Sequence, residues 1–218
     1  MALSVQTTNE ASDPRIPQDR GSEIINEASI DWPGDIGPIF LTQEQIQRRV
    51  MELGAQITRD YAGKDLVAVG VLKGVIFFMT DLVRAIRMPV TVDFLDIARY
   101  GRTEQMRGVV RLTKDLTEPL SGRHVLFVED VIDTGLTCRY ILGVLRHQAP
   151  ASLRVCALLN RPARRIVDIE LAYEGFEIPD VYLVGYGLDY RERYRNLPYL
   201  VQFERHGSIG QSMNKGKN

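Results

Sequence analysis

The stretch VLFVEDVIDTGLT, from Val125 to Thr137, decides how the rest of the chain is read. Its opening run VLFV has the β-branched and aromatic character of a strand buried on both faces. The run feeds directly into Glu129-Asp130, and after two more apolar residues come Asp133-Thr134-Gly135-Leu136-Thr137. Beyond it, Leu136, Tyr140, Ile141, Val144 and Leu145 recur at helical spacing, so the acidic middle reads as a strand-to-helix turn. In open α/β sheets ligands sit at the carboxyl ends of strands, where a helix N-terminus offers free N–H groups to an anion. Gly135 allows close backbone approach, and Thr134 and Thr137 add hydroxyl donors. Three carboxylates around such a loop repel a bare phosphate. They fit a ligand that also carries ribose hydroxyls and a divalent metal.

The flanking sequence supports an α/β chain. Thr42 with Gln45 three residues on forms a capping-box pattern, and Ile46, Val50, Leu53 and Ile57 follow on one face, predicting a helix over 42–61. LVAVGVL, residues 66–72, reads as a buried strand, and Lys73-Gly74 turns the chain into a second helix reaching about Ile86. Further strands are predicted over 90–98, 109–113 and 153–159, with short ones around 181–184 and 201–203; the polar segment RYGRTEQMRG, residues 99–108, reads as a loop. Strands alternating with helices predict a twisted, mainly parallel sheet flanked by helices. Order is expected to begin at Leu41. Residues 1–40 read as a loosely ordered arm, 41–206 as the folded domain and 207–218 as a flexible tail.

Composition narrows the classes of function. The chain has 218 residues and a net charge of −1, and no run of Lys or Arg is long enough to announce a nucleic-acid surface. No apolar run is long enough to span a bilayer, and the first residues lack the basic and apolar regions of a signal peptide, so a cytoplasmic protein with no membrane partner is expected. The two cysteines, Cys138 and Cys156, fall on a predicted helix and strand in apolar company and read as reduced core residues. His124, His147 and His206 show no partners at metal-ligand spacing.

The 125–137 pattern resembles the phosphoribosyl-pyrophosphate signature of type I phosphoribosyltransferases, and EDVIDTG resembles their hypoxanthine-guanine branch. The likeness spans about Leu41 to Phe203 in separated blocks: VLKG at 71–74, DFLDIARYG at 93–101, EDVIDTGLT at 129–137, LLNRP at 158–162, and GFEIPD, VGYGLDY and YRNLPY within 175–199. The resemblance implies the type I phosphoribosyltransferase fold with a small hood over the base site, drawn from regions near both chain ends. It also implies a Mg²⁺-dependent purine-salvage enzyme that takes phosphoribosyl pyrophosphate and a 6-oxopurine base, assembled as a homo-oligomer, dimer or tetramer.

Residue by residue, the resemblance assigns the 5′-phosphate to the backbone of Asp133, Thr134, Gly135, Leu136 and Thr137. Glu129 and Asp130 match the acidic pair that holds the ribose hydroxyls directly or through Mg²⁺, and Asp133 matches the general base for the purine N7 proton. As exposed carboxylates at a strand end, Glu129 and Asp130 are expected to repel each other. Leu72, Lys73 and Gly74 resemble the pyrophosphate loop, where relatives can have a cis peptide before the lysine, and Arg195 matches a pyrophosphate-binding arginine. Arg99, Tyr100 and Gly101 fall in a loop that closes over the reacting centre in relatives, which commonly have Ser at the position of Arg99. Tyr182 matches an aromatic that stacks on the purine, Leu183 supplies backbone groups to its edge, and Asp189 matches a further Mg²⁺ ligand. Arg161 stands where relatives usually have Lys donating to the purine C6 oxygen. The bland alternative has Arg161 pointing outward with Arg164 and Arg165 as a solvated basic cluster; Arg191 and Arg193 read as solvated. Two rival functions remain open: a xanthine or broader 6-oxopurine transferase, and a nucleotide-sensing regulator on the same fold, which would need a basic face.

Overall fold

The computed structural model describes residues 36–100 and 109–203, without the side chains of 99, 100, 109 and 110. In chain order the elements are β1 (Ile36–Leu41), α1 (Gln43–Asp60), β2 (Leu66–Val71), α2 (Ile76–Ala85), β3 (Val90–Tyr100) and β4 (Val109–Lys114). They continue with β5 (His124–Ile132), α3 (Leu136–His147), β6 (Ser152–Asn160), β7 (Tyr173–Glu177), β8 (Leu183–Val184) and β9 (Leu200–Phe203). Among the described residues the main sheet has the order β4-β3-β2-β5-β6-β7, and a small second sheet has the order β1-β9-β8. Within the main sheet β2, β3, β5, β6 and β7 pair in parallel, and β4 returns antiparallel along β3. None of the described helices is long and apolar enough to cross a membrane.

The local signals explain these elements. Thr42 caps α1 with the reciprocal pair its sequence predicts: Gln45 N donates to Thr42 Oγ1 at 3.2 Å and Thr42 N to Gln45 Oε1 at 2.8 Å. Ile46, Val50, Leu53 and Ile57 form the buried face of α1. Gly54 lets α1 cross α2 closely, because a Cβ there would lie 2.5 Å from Ala85 Cβ. Alternate residues of β2 and β5 serve opposite faces of the sheet. Ala68, Leu126 and Val128 pack with α1 and α2, whereas Val67, Val69 and Phe127 pack with Ile141, Leu142 and Leu145 of α3. Burial on both faces is what the near-continuous apolar runs required.

Several expectations need correction. β5 runs on through Ile132, so Glu129 and Asp130 belong to the strand and the turn proper starts at Asp133. On α3 the buried positions are Cys138, Ile141, Leu142 and Leu145; Leu136 and Tyr140, each 40% exposed, face outward. α2 begins at Ile76 and not directly after Gly74. The backbone of Arg99 and Tyr100 continues β3, and the rest of the expected loop, Gly101 to Gly108, lies outside the described residues. Two strands were not foreseen. β1 precedes the expected onset of order at Leu41 and pairs antiparallel with β9, with Ile36 opposite Phe203. β7 holds Gly175 against Leu158, where a Cβ would come within 2.2 Å of the Leu158 carbonyl oxygen. Cys138 and Cys156 are free and buried, as expected.

The strand order positions the site. The chain leaves β2 toward β3 on one side and later returns as β5 on the other, so the carboxyl ends of β2 and β5 diverge. Such a switch point opens a crevice between the two following turns. Here those turns are Leu72–Gly74 and Asp133–Gly135.

Candidate active site

A cavity of about 680 Å³ opens at that switch point. Its floor includes Leu72, Lys73 and Gly74 after β2, Glu129 to Gly135 and Thr137 around the end of β5, and Arg161 after β6. Tyr182, Leu183, Asp189 and Arg195, from the chain that builds the small sheet, complete it. Leu136 does not line the cavity and faces solvent, and Arg99, Tyr100 and Gly101 are not described beyond the backbone of the first two. Asp96, Ile97, Leu188 and Glu192 join the lining without having been singled out from the sequence.

The turn after β5 has the geometry its glycine suggested. Gly135 adopts φ +80°, a left-handed conformation, and a Cβ there would strike the Val167 carbonyl oxygen at 2.4 Å. Among the described residues no side-chain cap is seen on α3 at Gly135, and a long 3.4 Å contact runs from Leu136 N to Thr134 Oγ1. A helix start of this kind leaves backbone N–H groups that an anion can satisfy. On the other wall the Leu72–Lys73 peptide is cis, as the resemblance implied. Gly74 sits against Asp130: a Cβ there would fall 1.8 Å from Asp130 Oδ2. Asp130 Oδ1 accepts the Val131 amide at 2.7 Å. Glu129 is only 9% exposed, so the expected pair of exposed, mutually repelling carboxylates is not what the strand end presents.

Arg161 is 5% exposed and turns inward, which removes the outward-facing alternative. Its Nη1 lies 2.8 Å from Asp133 Oδ1, and its Nη2 donates to the Val181 carbonyl at 2.8 Å. The ion pair is close but not in hydrogen-bond alignment: Asp133 Oδ1 and Arg161 Nε are buried without hydrogen-bond partners among the described residues. Arg164 and Arg165 part company with it. Arg164 is exposed and pairs with Asp180. Arg165 turns behind the β5 turn and bonds its carbonyls. The sequence reading missed Arg165; its signal was Pro162, which starts a single 3₁₀ turn over Pro162–Arg164 and redirects the chain.

Toward the small sheet, the Tyr182 hydroxyl donates to the Asp189 carbonyl at 2.9 Å, and its ring meets Phe203 and Tyr190 at 6.0 and 6.3 Å between centroids. Arg195 Nη2 lies 2.8 Å from Asp189 Oδ1, and Nη1 donates to the Gly187 carbonyl at 2.7 Å. Glu192 bridges the two cations, 3.0 Å from Lys73 Nζ and 3.3 Å from Arg195 Nη2. The hydrogen bond from Lys73, followed by the nearby Arg195 charge, holds its carboxyl below the usual range. Cys138 lines the cavity as an inert thiol, pushed up to about 12 by burial and then by Glu129.

Comparison with known proteins agrees with this architecture. The phosphoribosyl transferase domain family matches residues 40–191. The hypoxanthine-guanine phosphoribosyltransferase of Mycobacterium tuberculosis (strain ATCC 25618 / H37Rv) is 49% identical over 175 residues, covering 78% of this chain and 87% of that protein. The Bacillus subtilis (strain 168) protein of the same name is 43% identical over 166 residues, covering 76% and 92%. The crystal structure of a hypoxanthine phosphoribosyltransferase from Staphylococcus aureus superposes with a TM-score of 0.75 at 45% identity, covering 78% of this chain and 92% of that one. With a family match across residues 40–191 and this identity over most of its length, the chain belongs to the hypoxanthine-guanine phosphoribosyltransferase family.

Proposed function

We propose that the chain transfers the 5-phosphoribosyl group from phosphoribosyl pyrophosphate to hypoxanthine or guanine, giving IMP or GMP and pyrophosphate. The observation that carries this reading is the meeting, in one cavity, of the β5 phosphate turn, the Leu72–Gly74 turn and the Arg161–Tyr182 wall. In the reaction a purine ring nitrogen forms a bond to ribose C1′ as the bond from C1′ to pyrophosphate oxygen breaks and its electron pair leaves with pyrophosphate. Positive charge builds on the ribose in between, as in glycoside hydrolysis.

Each group has a distinct task in this scheme. The amides and hydroxyls of the 133–137 turn hold the 5′-phosphate. Lys73, Gly74 and Arg195 receive the leaving pyrophosphate, and Glu129 and Asp130 hold the ribose. Asp133, 38% exposed at its side chain, takes the purine N7 proton, and Arg161 beside it donates to the C6 oxygen. Tyr182 stacks on the base while Leu183 meets its edge.

The donor set fits Mg²⁺. Glu129, Asp130 and Asp189 offer hard oxygens on the cavity wall, yet among the described residues no three His, Cys, Asp or Glu side chains are gathered as a protein-only metal cage. That is the pattern for an ion held by one or two carboxylates together with substrate phosphates and water. When bound, Mg²⁺ offsets the charge on the departing pyrophosphate.

The test is Asp133→Asn with phosphoribosyl pyrophosphate and hypoxanthine. Turnover is expected to fall by about 10²–10⁴ while phosphoribosyl pyrophosphate still binds, because the variant keeps the turn and loses the base. Near-parent turnover across the pH range would remove Asp133 from the proton-transfer step.

A further inference from the structure

The 5′-phosphate turn is held from behind. Its three leading carbonyls all point to the segment that follows β6. The Ile132 carbonyl accepts Arg161 N at 3.0 Å and Arg165 Nη2 at 3.2 Å. The Asp133 carbonyl accepts Arg165 Nε at 3.0 Å. The Thr134 carbonyl accepts Ile166 N at 3.0 Å and Val167 N at 2.9 Å. In a planar trans peptide the C=O of one residue and the N–H of the next point in opposite directions. Fixing these three carbonyls outward therefore fixes the amides of Asp133, Thr134 and Gly135 the other way. A strand end otherwise presents carbonyl oxygens as readily as amides, and carbonyls repel an anion.

Arg165 supplies the only side chain among these donors, and it does not line the cavity. Its guanidinium also bonds Asn160 Oδ1, and Asn160 Nδ2 in turn donates to Glu174 Oε1 at 3.1 Å. The fork is thus anchored to β6 and β7, and its planar donor geometry matches two successive carbonyls in a way that a point charge does not. We propose that Arg165 is a positioning residue for the 5′-phosphate: by binding the Ile132 and Asp133 carbonyls from behind, it keeps the turn's amides facing the phosphate. This rests on the transferase reading above and adds to it a residue that touches no substrate.

The experiment compares binding of IMP and of inosine, which differ only in the 5′-phosphate, to the full-length parent, Arg165→Met and Arg165→Lys. In Arg165→Met the IMP affinity is expected to fall roughly tenfold to a hundredfold, the weight of lost charge-assisted hydrogen bonds, while inosine affinity stays within about twofold. Arg165→Lys is expected to recover part of the loss, since one ammonium reaches one carbonyl. A general weakening of the fold would lower both affinities together. Equal losses for the two ligands, or none, overturn the proposal. If Arg165→Met fails to fold, the Lys variant carries the same comparison; if neither folds, Arg165 determines the fold and the positioning role is rejected. A parent that binds IMP no better than inosine overturns the transferase reading as well. A parent preference that survives in both variants overturns only the role of Arg165.

Discussion

Replacing Gly74 by Ala tests how closely the Leu72–Gly74 turn and the Asp130 carboxylate are interlocked. The added Cβ would lie 1.8 Å from Asp130 Oδ2, where Cβ atoms essentially never approach closer than 3.0 Å, so one of the two must yield by more than about 1 Å. The Gly74 backbone has little room to retreat, because its carbonyl already packs against Gly187. Asp130 is therefore the group that moves, and its bond to the Val131 amide goes with it. A misplacement of about 1 Å in a positioning group costs on the order of 10²-fold in rate. That corresponds to about 2.7 kcal/mol of transition-state stabilisation. The stability change should stay small, within about 1 kcal/mol, since Ala also restricts the unfolded chain. The assay is kcat/KM for phosphoribosyl pyrophosphate in Gly74→Ala, Asp130→Ala and the double variant, alongside thermal melts. If Gly74→Ala acts by displacing Asp130, the double variant should be no worse than Asp130→Ala alone. Losses that multiply, or a Gly74→Ala enzyme with parent activity, would refute the reasoning.

Arg161 joins Asp133 to the Val181 carbonyl, so it stands between the proposed proton acceptor and the proposed base wall. Arg161→Ala is expected to lose the preference for oxopurines over adenine by at least about 10²-fold, with Arg161→Lys intermediate, in turnover measured with each base; an unchanged preference in Arg161→Ala would show that Arg161 does not read C6. Glu192 occupies both Lys73 and Arg195, and the pair with Lys73 is exposed at both ends. Glu192→Gln should therefore leave the melting temperature unchanged and lower the KM for pyrophosphate in the reverse reaction by roughly two- to fivefold. A raised KM would mean that Glu192 helps to hold the product instead of competing with it.

The centre of the main sheet was legible because β2, β5 and β6 carry long apolar runs, and α1 was legible from its clean stripe from Ile46 to Ile57. The tight turn after β5 was legible from Gly135. What local pattern could not reveal was pairing at a distance. β1 contains Gly37 and Pro38 and looks like a linker until β9 lies beside it. β7 contains Gly175, poor in strand propensity, because the Leu158 backbone needs the space. Within the site, the sequence offers Arg165 no role of its own, only a place in the alternative in which Arg161, Arg164 and Arg165 form a solvated basic cluster. Only the 3₁₀ turn separates the two, sending Arg164 to Asp180 and Arg165 behind the β5 turn. The sequence reads Glu129 and Asp130 as part of the turn, because the apolar run VLFV ends at them and helical spacing follows. Here the strand does continue, through Val131 and Ile132.

The pairing of β1 with β9 has a consequence for biosynthesis. Every strand of the main sheet precedes Val181, so both the turn after β2 and the turn after β5 are complete before the small sheet can form. The small sheet must wait, because β1 has no partner until Leu200–Phe203 leaves the ribosome. A nascent chain therefore acquires the cavity wall from Leu72 to Arg161 first and the wall from Tyr182 to Arg195 last. During that interval β1 is an unpaired edge with Ile39 exposed even in the finished fold, and Pro38, which cannot donate to a neighbouring strand, blunts it against pairing with a stranger.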